Sequence, residues 1–239
     1  MVTFDHRDPG TPEAAWSTSS RWASVPWSDA RGFGRALIVA AHPDDETLGA
    51  GALLARLHRA GTRVTIALAT RGERAYATDT SMTRVAEFHA AVSRLAPECT
   101  VVDLGLPDGA LHEHERMLER ALRAVGHTDL VVAPWRGDAH GDHRVAGDAA
   151  ARVAASYGAV LLEYPVWLWH WADPDRAEVP WPGFVRVPQS GPDRRAKESA
   201  LAAYASQVSA SDLSEPPVLH AGMLAHFSRD WETFVRSAP

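Results

Sequence analysis

The chain has 239 residues, 46% hydrophobic and 23% charged, with a formal net charge of −6. That length fits one ordinary domain with a sizeable core, and the composition excludes a disordered chain. The lack of a basic excess argues against nucleic acid as a partner. Cys99 is the only cysteine and Lys197 the only lysine. A lone cysteine excludes an intramolecular disulfide and any cysteine cluster, so a metal would have to use His, Asp or Glu. Asp5 and Asp8 precede any apolar run, unlike a signal peptide, and no stretch reaches the ~20 apolar residues of a membrane span. The expected setting is the cytoplasm, with no membrane partner.

In chain order, residues 1–34 are rich in Gly, Pro and Ser and carry Trp16, Trp22 and Trp27. They read as an irregular arm whose tryptophans dock on a body spanning residues 35–239. The run from Ala36 to Ala41 has the continuous apolar character of a strand buried on both faces. Ala50, Leu53, Leu54 and Leu57 follow at helical spacing, with Asp45 or Thr47 as candidate cap and Gly61 as stop. Strands are predicted over 63–69, 100–104, 129–133 and 159–163. Helical stripes fall between them on Val85, Phe88, Val92 and Leu95, on Leu111, Leu118, Leu122 and Val125, and on Val145, Ala149 and Val153. This alternation predicts a single-domain α/β fold, a Rossmann-like, mostly parallel sheet flanked by helices on both faces. Residues 164–192 break the rhythm with Trp167, Trp169, Trp171 and Trp181. An extended backbone would put the first three rings on one face; the plain alternative is that they pack inward against the arm. Helices are expected from Asp193 to about Gln207 and near Trp231 and Phe234.

The chemistry concentrates in two clusters. His42-Pro43-Asp44-Asp45-Glu46 directly follows the first strand, and His140-Gly141-Asp142-His143 follows the fourth. In open α/β sheets ligands bind beyond the carboxyl ends of the strands, so both clusters are predicted on one rim. His42, Asp45 and one histidine of the second cluster would make a three-ligand site with an open position, the zinc pattern of hydrolases. Fe²⁺ or another divalent ion suits the same donors. His112 and His114 are two apart and share no helical face, which removes them as a ligand pair. Gly49-Ala50-Gly51 faintly suggests a dinucleotide turn, but the acidic residues ahead of it would repel a pyrophosphate. Close helix–sheet packing is the better reading of those small residues.

The motif from Ala41 to Gly51 together with His140-Gly141-Asp142-His143 resembles the PIG-L family of metal-dependent N-deacetylases, also called LmbE-like. Thr70-Arg71-Gly72-Glu73, Arg84-Val85-Ala86-Glu87, Leu104 to Gly109 and Lys197 to Gln207 extend the resemblance over roughly residues 36–207. It implies a zinc hydrolase, with one ion per chain, that removes acetyl from an N-acetylglucosaminyl-type conjugate or related natural product. By motif, His42, Asp45 and His143 would bind the metal and Asp44 would be the general base. His140 would stabilise the oxyanion, with Asp142 behind it to orient it and favour its charged form. Asp108 would meet sugar hydroxyls, aided by one of Arg71, Arg74 or Arg84. The segment Glu163–Trp171 departs from the best-known sugar deacetylases, and Trp167 with its neighbours is expected to wall the pocket and select the substrate. A bulkier acyl group on a non-sugar or peptide-like amine is the alternative. The resemblance implies a small-molecule partner; oligomeric state is not legible.

Overall fold

The computed structural model describes residues 5–76, 78–208 and 217–236. A short helix, α1 (Glu13–Ser17), lies in the arm. The body then alternates β1 (Arg35–Ala40), α2 (Asp45–Arg59), β2 (Arg63–Thr70), α3 (Ser81–Leu95), β3 (Thr100–Leu106), α4 (Glu115–Ala124), β4 (Leu130–Pro134), α5 (Gly141–Tyr157) and β5 (Val160–Tyr164). It ends with α6 (Leu168–Trp171), β6 (Phe184–Pro188), α7 (Gly191–Leu201), α8 (Ala205–Val208), α9 (Ala221–Ala225) and β7 (Trp231–Val235). The strands form one sheet in the order β3-β2-β1-β4-β5-β7-β6. The first five are parallel, and β7 runs antiparallel to both β5 and β6. Alternate residues of β1 serve opposite cores. Ile38 and Ala40 pack with Leu54 and Phe88, while Leu37 and Val39 pack with Leu118 and Val153. No helix among the described residues is long and apolar enough to cross a membrane.

Three local expectations need correction. The segment around Trp231 and Phe234 is the strand β7, not a helix. Four of its five residues are aromatic or β-branched, a composition that favours a strand, and the open slot between β5 and β6 decides its state. The predicted helix from Asp193 to Gln207 breaks after Leu201 and resumes as α8. Trp167 to Trp171 form a helical turn, so the three rings do not share one extended face.

Helix α2 is really two helices. Ala50 has φ −142° and ψ 16°, which frees backbone N–H groups in the middle of the element. The Glu232 carboxylate, reaching in from β7, accepts from Ala52 N and Leu53 N, each at 2.8 Å. Lys197 Nζ lies 2.8 Å from Glu232 Oε1, so the buried carboxylate is neutralised. Gly49 sits at the break because a Cβ there would fall 2.2 Å from the Tyr164 ring.

The arm lies against the far end of the sheet. Trp16 is fully buried, and its indole N–H donates to the Trp169 carbonyl at 2.9 Å. Trp22 packs edge-on against Trp181 at 5.0 Å. Trp27 instead remains 55% exposed under the Arg186 guanidinium. Glu13 fastens α1 through His226 Nδ1 at 2.6 Å and Arg229 Nε at 2.7 Å. Burial works against the Glu13 carboxylate, but those two partners outweigh it and hold its pKa below the usual range. A depressed folded pKa adds stability above the unfolded pKa, and that stability is lost as pH falls through the folded value. Glu13→Gln should therefore lower stability by about 2 kcal/mol at neutral pH, or roughly 4–8 °C in Tm. The gap to the wild type should shrink on acidification below about pH 4, and a gap independent of pH would show that the charge is not what fastens the arm.

Candidate metal centre

Strand β1 continues its chain outward to β2 on one side, while the adjacent β4 continues to β5 on the other. The crevice at their carboxyl ends is the topological switch point of the sheet. The loop after β1 delivers His42, Asp44 and Asp45 there, and the loop after β4 delivers Asp138, His140 and, on the first turn of α5, Asp142 and His143. The His140 ring centroid lies 4.7 Å from both the His42 and the His143 centroid. Asp44, not Asp45 or Thr47, occupies the N-cap position of α2, without a side-chain capping bond. Its backbone there has φ 126°, a strained conformation for a non-glycine residue.

The Asp45 carboxylate stands between two imidazoles. Its Oδ2 is 3.5 Å from His42 Nδ1 and its Oδ1 is 3.2 Å from His143 Nε2. Each imidazole is held from behind by other carboxylates. His42 Nε2 meets Asp108 Oδ1 at 3.0 Å and Asp142 Oδ2 at 3.3 Å. His143 Nδ1 meets Asp138 Oδ2 at 3.2 Å. A carboxylate only accepts, so the facing ring nitrogen carries the proton in each case. In a neutral ring that leaves the lone pairs of His42 Nδ1 and His143 Nε2 aimed at Asp45. His143 Nε2 is buried and makes no hydrogen bond among the described residues.

Two lone pairs facing a carboxylate repel it unless positive charge lies between them. The electrostatics of the cluster express the same demand. Burial opposes charge on His143, yet Asp45 and Asp138 push its pKa up to about 9. Burial likewise opposes charge on His42, and Asp108, Asp142 and Asp45 raise it well above its ordinary value. Burial alone would raise Asp45, but His143 and His42 hold it well below. A divalent ion would satisfy all three groups at once, and carboxylate-backed histidines are the usual company of such ions.

His140 belongs to the same group of neighbouring donors, but its nitrogens are used differently. Its Nδ1 accepts the Asp142 backbone N–H at 3.2 Å, capping α5. The only lone pair of a neutral ring is then engaged, and Nε2–H is left as a donor. Burial, with the His42 and His143 charges, pushes its pKa down to about 3. His140 is thus a neutral donor, and the expected charged form is not what this environment favours. Nor does the Asp142 carboxylate orient it. That carboxylate accepts from Gly109 N at 2.7 Å and Leu111 N at 3.2 Å, and it also faces His42.

Asp44 has a different neighbourhood. Its Oδ2 accepts from Arg84 Nη2 at 3.0 Å, and the same guanidinium bonds the carbonyls of Pro43 and Gly72. Burial pushes the Asp44 pKa up to about 7 against the pull of Arg84, with Asp45 adding to the rise. Arg84 is therefore a buried clamp on Asp44, and it lines the cavity as well.

The substrate candidates divide. Asp108 lines the cavity, but both oxygens are engaged, one by His42 and one by Arg74 N at 2.9 Å. Arg74 and Trp167 line the cavity as well. Arg71 does not; it pairs with Asp103 at 2.9 Å, which corrects its placement as a substrate residue. Among the other tryptophans of that segment, Trp169 and Trp181 pack into the core with Trp16 and Trp22.

Asp138 is the site residue that the sequence reading passed over. Besides His143, its Oδ2 accepts from Val166 N at 3.1 Å and Trp167 N at 3.0 Å. It lies two residues before His140 on the same loop, and that position was the available signal. Asp138→Ala should weaken divalent-metal binding about 10–100-fold, read by competition with a metal-sensitive dye. Unchanged affinity would remove Asp138 from the support of the centre.

A mostly parallel α/β sheet with a buried His/Asp cluster at its switch point offers the donors a divalent ion would need. Residues 37–154 match the family model described as PIG-L, GlcNAc-PI de-N-acetylase, and this segment is a domain of that family of N-deacetylase hydrolases. Among solved structures it is similar to a conserved protein of Thermus thermophilus, at 27% identity and TM-score 0.61, over 85% of this chain and 94% of that one. It shares its fold with the N,N'-diacetylchitobiose deacetylase of Pyrococcus horikoshii, at 19% identity and TM-score 0.59, over 85% and 82% of the two chains. It also shares it with the A40926 pseudoaglycone deacetylase Dbv21, at 23% identity and TM-score 0.59, over 86% and 99%. Among curated proteins the search found no match.

Proposed function

We propose that the chain is a zinc-dependent N-deacetylase acting on an N-acetylglucosaminyl-type small-molecule conjugate and giving acetate and a free amine. The observation that carries this reading is the Asp45 carboxylate set between His42 Nδ1 and His143 Nε2, with Asp44 beside it. His42, Asp45 and His143 would hold the ion, which supplies Lewis-acid chemistry and makes a nearby water more acidic. Asp44, with a pKa near 7, takes the proton of the attacking water and can return it to the leaving amine. His140 offers its Nε2–H to the oxygen that becomes negative as the carbonyl is attacked. Asp138, Asp108 and Asp142 fix the two imidazoles, and Arg84 keeps Asp44 aimed. The cavity above the centre has a volume of about 540 Å³, in the range that seats a drug-sized ligand, so it admits far more than an acetamide.

The test is a substrate panel. Purified protein with and without Zn²⁺ is offered N-acetylglucosaminides with different aglycones, and acetate and free amine are measured. Zinc-dependent release of acetate from at least one member is expected. Its absence across the panel, with release of a longer acid from N-hexanoyl amines, would move the assignment to the bulkier-acyl amidase. The apolar residues Leu48, Val166, Val218 and Leu219 in the cavity wall keep that second reading in view.

A further inference from the structure

We propose that the N-terminal arm completes the substrate pocket, with His6 and Trp167 forming a seat for a flat apolar ring on the amine portion of the substrate. The proposal rests on the N-deacetylase reading above, since release of acetate leaves everything else in the cavity to the amine. His6 lies outside the segment that matches the family model, yet it lines the cavity over the metal centre. Its ring centroid is 6.4 Å from that of Trp167, at an interplanar angle of 59°. The Trp167 ring is braced by His170, edge-on at 5.8 Å.

The arm is held closely enough to place His6. His170 Nε2 lies 2.8 Å from the Asp8 carbonyl, and Thr11 N donates to the His170 carbonyl at 2.9 Å. Between them Gly10 crosses the His170 ring at φ +63°, where a Cβ would fall 2.5 Å from a ring carbon. Only glycine permits that crossing. Glu13 then fastens the chain a few residues further on. The result is two tilted rings beside the apolar side chains of Leu48, Val166, Val218 and Leu219. Those four give a sugar hydroxyl no hydrogen-bond partner, whereas an aryl ring gains area and edge or face contact there.

The test compares phenyl with methyl N-acetyl-β-glucosaminide as substrates of the zinc-loaded protein. In parallel, phenyl and methyl β-glucoside, which carry no amide, are titrated calorimetrically into the metal-free protein. The wild type should prefer the phenyl compound about tenfold in both readouts. His6→Ala should cut that preference about three- to tenfold without moving Tm, and His6→Phe should keep it. A wild type without preference, or a His6→Ala protein that retains it, would overturn the proposal. A phenyl preference in binding that depends on His6, with no acetate from any substrate, would sustain the seat and overturn the N-deacetylase reading instead.

Discussion

Asp44→Asn should keep its metal and lose about 10²–10⁴-fold in kcat. The amide matches the carboxylate in shape, so the turn before α2 and the bond to the Arg84 guanidinium can persist through the side-chain oxygen. What it cannot do is accept a proton. The environment of Asp44 is arranged for that act. Burial lifts its pKa to about 7, and Arg84 keeps the lift from going further. A group poised near neutral pH is basic enough to take a proton and acidic enough to release it. The substitution also leaves Arg84 buried without a charged partner, so a stability loss of about 1–3 kcal/mol should accompany it. Zinc content, circular dichroism and single-turnover rates separate these effects. A variant that retains more than a tenth of the wild-type kcat would place the base elsewhere.

His143→Ala should reduce bound zinc from about one ion per chain to nearly none, with activity falling to background. The variant removes the buried Nε2 lone pair and leaves Asp45 facing His42 alone. His140→Ala is the informative contrast, because His140 lies equally close to the other two rings. With its lone pair engaged by the Asp142 N–H, His140 should be dispensable for the metal and costly only for the reaction, at about 10²–10³-fold in kcat. Metal loss in His140→Ala equal to that in His143→Ala would make the three histidines the ligand set and release Asp45 from it.

Much of the fold is legible because β1 to β5 and their helices obey simple periodicities. The run from Ala36 to Ala41 has the character of a strand buried on both faces, and Leu53, Leu54 and Leu57 the spacing of a helix face. The end of the chain is harder. Trp231 to Val235 becomes a strand because β5 and β6 leave it a slot, and that is a tertiary fact. The site divides along the same line. Which residues gather at the rim follows from their places after β1 and β4. Which nitrogen faces which oxygen does not, so the service of Asp142 to His42 rather than His140, and the departure of Arg71 toward Asp103, wait on geometry. Arg84 shows the difference in another way. The resemblance offers it as one of three arginines to aid Asp108 at the substrate, and only its burial against Asp44 reveals an internal partner.

The Lys197–Glu232 pair that spans the break in α2 has a chemical corollary. Lys197 is the sole lysine of the sequence and is 3% exposed. Every cationic side chain on the surface is therefore a guanidinium or an imidazole. Succinimidyl esters, reductive methylation and glutaraldehyde find no side-chain amine on the folded body, and acetyl or ubiquitin transfer to lysine finds no acceptor there. An amine-reactive dye would label Lys197 only in molecules where α7 has come away from β7 and α2 and the Lys197–Glu232 pair is broken. Labelling of that one side chain thus becomes a clock for the loosening of α7 from the helix that begins at Asp45.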